Sequence, residues 1–359
     1  MLQFNRSKLI VLIVAGVLCL ASGVSYAANK TYKFNPNASG TSGKGITKWG
    51  LDVKWPRSKS KLQTDISNAG GSGNFSFVRI AWYPQYALNA DGSLKAGAKA
   101  DMDVQKDRAS VLSGKKWFLS PKLGGIDWSY YKGSDNLVRA DRWANAMAKS
   151  REYLGGKGKF AYVGPTNEPD NGNKFTANKF VKIVDKMTDW GGVTIVGPCA
   201  FNAATSNNWW NTIKNKVSIG TTHAIGGTTK GAYKSFADKV GSKGPWNSEI
   251  HSLAEAIIGG HKGYTAGVYW GAINKARGDF IKYSRNKRIQ YGEFGSFGAS
   301  AIYKGNNAKE LYLFIGSNSG SHKLTYKASF NVSYDGSAKK KKHIVNVSGK
   351  TERVIKITW

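Results

Sequence analysis

Apolar and polar positions along this chain fall into blocks of different period. Residues 9–20 are apolar almost without a break. From about 45 to 290, short apolar runs alternate with longer stretches in which apolar residues recur every three or four positions. Eight of the runs read as strands: 47–53, 75–81, 117–120, 159–163, 193–196, 218–222, 245–248 and 266–270. Several are apolar throughout, as strands covered on both faces of a parallel sheet are. Between them, 136–154 gathers Leu137, Trp143, Ala144, Met147 and Ala148 on one helical face, and 176–190 does the same with Phe180, Ile183, Val184 and Met187. Shorter helical patterns lie at 207–216, 232–240 and 252–258. Alternation of this kind predicts a parallel sheet with crossover helices, and eight repeats predict an α/β fold, a closed (β/α)8 TIM barrel. A doubly wound open sheet is the alternative, weakened because no GxGxxG-type loop follows the first strand.

Past residue 289 the period drops to two. The stretches 311–315, 323–334, 343–347 and 354–359 alternate apolar and polar residues between turn signals. They predict a small antiparallel all-β module of β-sandwich type. The basic run KKKK at 339–342 is expected at a hairpin tip of this module, and residues 30–34 could add a strand to it. The expected division is therefore a leader at 1–27, a catalytic barrel at 28–288 and a β module at 289–359.

The leader rests on Arg6 and Lys8 ahead of the apolar run, with small residues leading to Ser25-Tyr26-Ala27. This is the pattern of a secretory signal cleaved near Ala27. The apolar core is short for a bilayer span, so the chain is expected outside the cytoplasm without stable membrane insertion. Cys19 leaves with the leader and Cys199 remains alone, so no intrachain disulfide is possible.

Charge changes the picture of the partner. Lys and Arg number 53 against 22 Asp and Glu, a formal net charge of +31 that loses only Arg6 and Lys8 with the leader. Such a field attracts polyanions. For an exported chain these are acidic polysaccharides, cell-surface polymers or extracellular nucleic acid. Nucleic acid is not the expected partner, because no basic recognition helix or RNA-binding motif is present.

In a (β/α)8 barrel the chemistry lies at the carboxyl ends of the strands. Reading those exits in order gives Asp52 on the first strand, Arg79 on the second, Lys122 after the third, and Asn167 and Glu168 after the fourth. His223 follows the sixth, Glu249 the seventh and Trp270 ends the eighth. Two carboxyls flanking one bond can hydrolyse a glycoside, one as acid and the other ionised. Asn167 is placed to bond a sugar hydroxyl, Asp52 is either a sugar ligand or a structural acid, and Arg79 would favour an ionised carboxylate beside it. Glu293, in GEFGS after the eighth strand, is a weaker candidate nucleophile. Trp270, Trp209 and the neighbouring Trp210 belong to a set of 12 Trp and 17 Tyr suited to stacking on sugar rings. Motifs for a Cys or His metal site, an EF-hand, a P-loop and a GxSxG elbow are lacking, so neither metal nor cofactor is expected.

Asn167-Glu168-Pro169 ending the fourth strand, with Glu249 ending the seventh, resembles the clan of retaining (β/α)8-barrel glycoside hydrolases. The trailing β module is similar to that of the xylanase-, xylosidase- and agarase-like branches. The resemblance implies Glu168 as general acid/base, Glu249 as nucleophile, Arg79 and His223 in support, and Trp270 under the sugar. It covers about 45–359 in architecture and a dozen residues in motif, and the segment from Glu168 to Glu249 is short for the clan. With the charge, it leads to an expected function: an endo-acting hydrolase of an anionic polysaccharide, sulfated or uronate-bearing, such as an agar- or porphyran-like galactan. The alternative is a carbohydrate-binding or adhesion protein that kept the barrel without the catalysis.

Overall fold

The computed structural model describes residues 28–55, 57–172 and 174–359. The expected leader, with Cys19, lies outside the described residues. The first strand, β1 (Ala28–Phe34), does not enter the barrel. Eight parallel strands then close in sequence order: β2 (Lys48–Asp52), β3 (Phe77–Trp82), β4 (Lys116–Pro121), β5 (Phe160–Val163), β6 (Thr194–Ala200), β7 (Ile219–Thr222), β8 (Trp246–Ile250) and β9 (Ala266–Tyr269). Closure is the pairing of β9 back onto β2, with Lys48 opposite Ala266.

The outer layer is helical: α1 (Lys59–Asn68), α2 (Ala96–Ala109), the short α3 (Trp128–Tyr131), α4 (Ala140–Tyr153), α5 (Ala177–Asp185), α6 (Ala203–Ile213), α7 (Lys230–Val240), α8 (Leu253–Lys262) and α9 (Lys275–Tyr283). Local chemistry starts most of them. Ser58, Thr176, Asn202, Thr229, Ser252 and Asn274 each accept a hydrogen bond from a backbone N–H of the first turn that they cap. The expected 176–190 helix stops at Asp185, before a left-handed Asp189 and the pair Gly191-Gly192. The helix expected from 207 begins at Ala203 instead, because Asn202 caps it.

Six more strands follow: β10 (Arg288–Phe294), β11 (Gly298–Lys304), β12 (Glu310–Ser317), β13 (Ser321–Tyr334), β14 (Lys340–Ser348) and β15 (Thr351–Thr358). With β1 they run in the order β1-β13-β15-β12-β11-β10, and β14 pairs with the other edge of β13. Residues 288–304, where no strand was expected, form the hairpin β10–β11. The module is not wholly antiparallel, since β1 pairs with β13 in parallel. Lys340, Lys341 and Lys342 already belong to β14 rather than to a turn.

The module is bonded to the barrel by packing. Tyr283 of α9 stacks on Tyr312 with centroids 3.8 Å apart, and Phe280 meets Phe314 edge-on at 5.2 Å. Gly316 lies so close to α8 that a Cβ there would fall 2.2 Å from the Ala254 nitrogen. One hydrophobic core therefore runs from the barrel helices into β11 and β12.

Inside the barrel, residues alternate with period two. Phe77, Phe118, Val196, Trp246, Ala266 and Val268 form an apolar plug, with Phe77 and Trp246 stacked at 5.4 Å. Two residues further along β3 the same face carries Arg79. The plug closes the lower lumen and leaves charged groups at the carboxyl end of the strands.

Candidate active site

Glu168 stands just past β5 in a left-handed backbone conformation, φ +45°. A non-glycine residue there costs on the order of 1–2 kcal/mol, so the surrounding bonds must hold it. The Glu168 N–H donates to the Cys199 carbonyl at 2.7 Å. Thr166 Oγ1 donates to the Pro198 carbonyl at 2.7 Å. Asp170 accepts from the N–H groups of Phe201 and Asn202, at 2.7 and 3.1 Å. The Asn-Glu-Pro turn is thus sewn to the end of β6, and Cys199 serves as a buried packing residue whose thiol burial pushes up to about 11.

Glu249 reaches the lumen by a different device. Strict alternation along β8 would send it outward beside Asn247. The β8–β9 register shifts between Asn247 and Ile250, and such an irregularity re-aims a side chain. The Asn247 side-chain oxygen accepts the Glu249 N–H at 2.9 Å and stabilises the turned backbone. Ser248 points inward too, bonding Thr221 Oγ1 and His223 Nε2, both at 3.1 Å.

The expected residues converge. Arg79, fully buried, donates through Nη1 to Glu249 Oε2 at 2.8 Å and to Asp52 Oδ2 at 3.4 Å. Through Nη2 it donates to Asn167 Oδ1 at 2.5 Å. His223 bridges the acids: Nδ1 lies 3.2 Å from Glu168 Oε1, and Nε2 lies 4.0 Å from Glu249 Oε2. One oxygen from each glutamate and a His223 nitrogen lie within 4.8 Å of one another. The two side chains are 12% and 6% exposed, so both meet solvent only through the pocket.

Burial by itself would raise the Glu249 carboxyl. Arg79, His223, Lys54 and His251 overcome it and bring the group down to about 2. Asp52 is pushed up by burial despite Arg79, and its Oδ1 accepts the Lys54 N–H at 2.9 Å. It holds the backbone and Arg79 from behind, which makes it a structural acid rather than a wall of the pocket.

The pocket above these groups has a volume of about 330 Å³. Asn167, Glu168, Glu249, Lys122 and Trp270 line it, as expected. Lys54, Trp55, Leu123, Gly124, Phe201, Ile225 and His251 complete it. Trp270 meets Trp55 edge-on at 5.3 Å and leans on His251 at 4.9 Å, so indole and imidazole make one wall. Arg79, His223 and Asp52 lie beneath the lining.

Two sequence readings do not reach the site. Trp209 sits in the middle of α6 and packs against the helical layer, while Trp210 is buried against Phe236. Glu293 lies in β10, paired with Lys230 at 3.1 Å and Lys234 at 3.2 Å and accepting from Tyr291 Oη at 2.6 Å. Conversely, Lys54 and His251 escaped the reading of strand exits. Each stands two residues past an inward acid, Asp52 and Glu249, and that spacing was the available signal.

Glu168, His223 and Glu249 are chemically able to hold a metal ion. The cations already beside Glu249, Arg79 and Lys54, oppose a further positive charge there.

No protein-family model matches the sequence, and no curated protein matches it. Solved structures do share its shape. A GH39 β-xylosidase from Caulobacter crescentus aligns over 91% of this chain and 99% of its own, at 13% identity and a TM-score of 0.52. A Paenibacillus polymyxa xyloglucanase of glycoside hydrolase family 44 aligns over 92% and 100%, at 11% identity and a TM-score of 0.45. An α-L-arabinofuranosidase from Thermotoga maritima aligns over the same shares, at 10% identity and 0.45. The likeness to the first of these is one of fold, a barrel carrying a β module.

Proposed function

We propose that this chain is a secreted retaining glycoside hydrolase acting within chains of an anionic polysaccharide. The observation that carries the reading is the approach of the two carboxylates to within 4.8 Å in one pocket. Retaining enzymes hold their two carboxyl groups about 5–5.5 Å apart and inverting ones about 6.5–9.5 Å, so oxygens this close favour the retaining class.

The surroundings divide the roles. Glu249, held ionised by Arg79, attacks the anomeric carbon. Glu168, with no arginine on it, protonates the departing oxygen and then takes a proton from the water that releases the product. His223 contacts both and keeps their spacing. The arginine bond to Asn167 Oδ1 leaves its amide nitrogen for a sugar hydroxyl.

The preference for an anionic glycan, sulfated or uronate-bearing and of agar or porphyran type, has support inside the pocket. Lys54 and Lys122 both line it. Burial and Arg79 lower Lys54 to about 8, which still leaves it cationic at neutral pH. Lys122 rests its ammonium 5.2 Å from the Tyr83 ring centroid.

The test is incubation with porphyran, agarose, a uronate polymer and xylan, with products read by mass and by NMR of the first-formed anomer. A retained anomer and mixed oligosaccharides early in the reaction are expected, with the charged polymers preferred and the preference falling as salt rises. An inverted anomer, or no product from any polymer, ends the proposal. The Glu249→Ala variant should lose hydrolysis and keep glycan binding; a wild type that binds and never cleaves would instead establish the adhesion reading.

A further inference from the structure

The β module carries lysines in an arrangement its own stability does not favour. Strand β13 is flanked by β1 and β14, and the registers place Lys33 opposite Lys327 and Lys327 opposite Lys342. All three side chains are exposed, while their chain neighbours Phe34, Tyr326 and Ala328 turn into the core. In the antiparallel β13–β14 pair, directly opposed residues such as Lys327 and Lys342 have Cβ atoms about 4.5–5.5 Å apart, and like charges there destabilise the sheet; Lys33 on the parallel β1 adds a third charge to the row.

Nothing on these strands relieves the repulsion. None of the three contains Asp or Glu. The next row along the face, Thr31, Thr325 and Ile344, is uncharged, and the row beyond it adds Lys323. Lysines on edge strands commonly guard against aggregation. That explanation covers Lys33 and Lys342 but not Lys327, whose strand is paired on both sides.

We propose that this face binds a linear anionic polysaccharide, separately from the barrel pocket. The identity of the polymer rests on the function proposed above; the binding does not depend on hydrolysis. Charge complementarity selects a polyanion. The three rows present no aromatic ring on which a nucleobase could stack, which favours a glycan over nucleic acid.

The experiment uses the whole chain with dextran sulfate, neutral dextran of the same length and a short DNA duplex, each binding read by calorimetry. Dextran sulfate is expected to bind and dextran not. Substituting Lys33→Ser, Lys327→Ser and Lys342→Ser together should weaken dextran sulfate about tenfold, from three exposed ion pairs of modest strength each. Lys327→Glu should weaken it also, and raise Tm because the central repulsion becomes attraction. Unchanged affinity in the triple variant overturns the proposal, and so does a lower Tm in Lys327→Glu. DNA bound as tightly as dextran sulfate replaces the glycan with nucleic acid. A chain that binds through this row yet cleaves no polymer upholds the surface and removes the catalytic reading, so the two failures are distinguishable.

Discussion

The lower and upper halves of the barrel lumen are built from the same strands and behave as different solvents. On β3 the inward residue below is Phe77 and the one above is Arg79. The lower half is closed by stacked rings, and Gly50 of β2 leaves room for them: a Cβ there would meet Phe77 at 2.3 Å. The upper half buries an arginine, two glutamates, an aspartate and a histidine almost as deeply, but each has a polar partner. The difference teaches that burial alone does not decide chemistry. The plug closes the lumen from beneath, while the charges above it answer to their own partners. Arg79 and the other cations around Glu249, working against its burial, drive it far from ordinary carboxylate behaviour.

Three substitutions separate the two halves, and a fourth tests the seam that steadies the upper one. Glu168→Gln should lower kcat by about 10² to 10⁴-fold on natural glycans. A dinitrophenyl glycoside, whose leaving group needs no proton, should suffer much less in glycosyl transfer to the enzyme; equal losses on both substrates would deny Glu168 its role as acid.

Arg79→Met should cost about 3–5 kcal/mol by stranding buried carboxylates. It should also move the acid limb of kcat/KM to higher pH. In the native protein Glu249 stays ionised until pH nears about 2, below the usual value of about 4.3. Its contribution to stability is thus present above about 4.3 and lost as pH falls toward 2. An acid limb that does not move in the variant would break the link between arginine and nucleophile.

Phe77→Ala should cost a similar 3–5 kcal/mol and leave the pH limb where it was. Denaturant titration with a pH–rate profile checks both, and a shifted limb would show that the plug does more than close the lumen.

The smallest effect is expected at the seam with the β module. Glu352 of β15 accepts from Arg277 Nε and Nη2 at 2.8–3.0 Å, and Nη2 also donates to the His251 carbonyl at 2.7 Å. Arg277 Nη1 donates to the Trp270 carbonyl at 3.2 Å. The module thereby steadies the wall made of His251 and Trp270. Glu352→Gln should cost about 1–3 kcal/mol and raise KM a few-fold with kcat little changed; a fall in kcat alone would contradict this positioning.

The eight barrel strands were legible because buried parallel strands are written as short apolar runs, and most of the site residues stand at or shortly past the end of such a run. β10 and β11 were not, because GEFGS and its neighbours carry turn-forming glycines that read as a linker. Helices α1 and α2 were not legible for a related reason: each buries few large apolar residues, so no strong periodic face shows. Nothing comparable explains α9, which buries Ala276, Phe280, Ile281 and Tyr283 at helical spacing. The WW pair misled because abundant tryptophan invites a sugar-binding reading, whereas capping by Asn202 set the helix phase and turned Trp210 inward.

By itself the sequence determined the order of the eight barrel strands, the sign of the charge and the two glutamates as candidates, since these follow from side-chain type and local period. Tertiary structure alone decided three things. It turned Glu249 inward through a register shift against β9, joined Arg79 to three residues far apart in the chain, and aligned Lys33, Lys327 and Lys342 in one row. Each depends on which backbone lies beside which, and pairing between distant segments leaves no trace in the local order of residues.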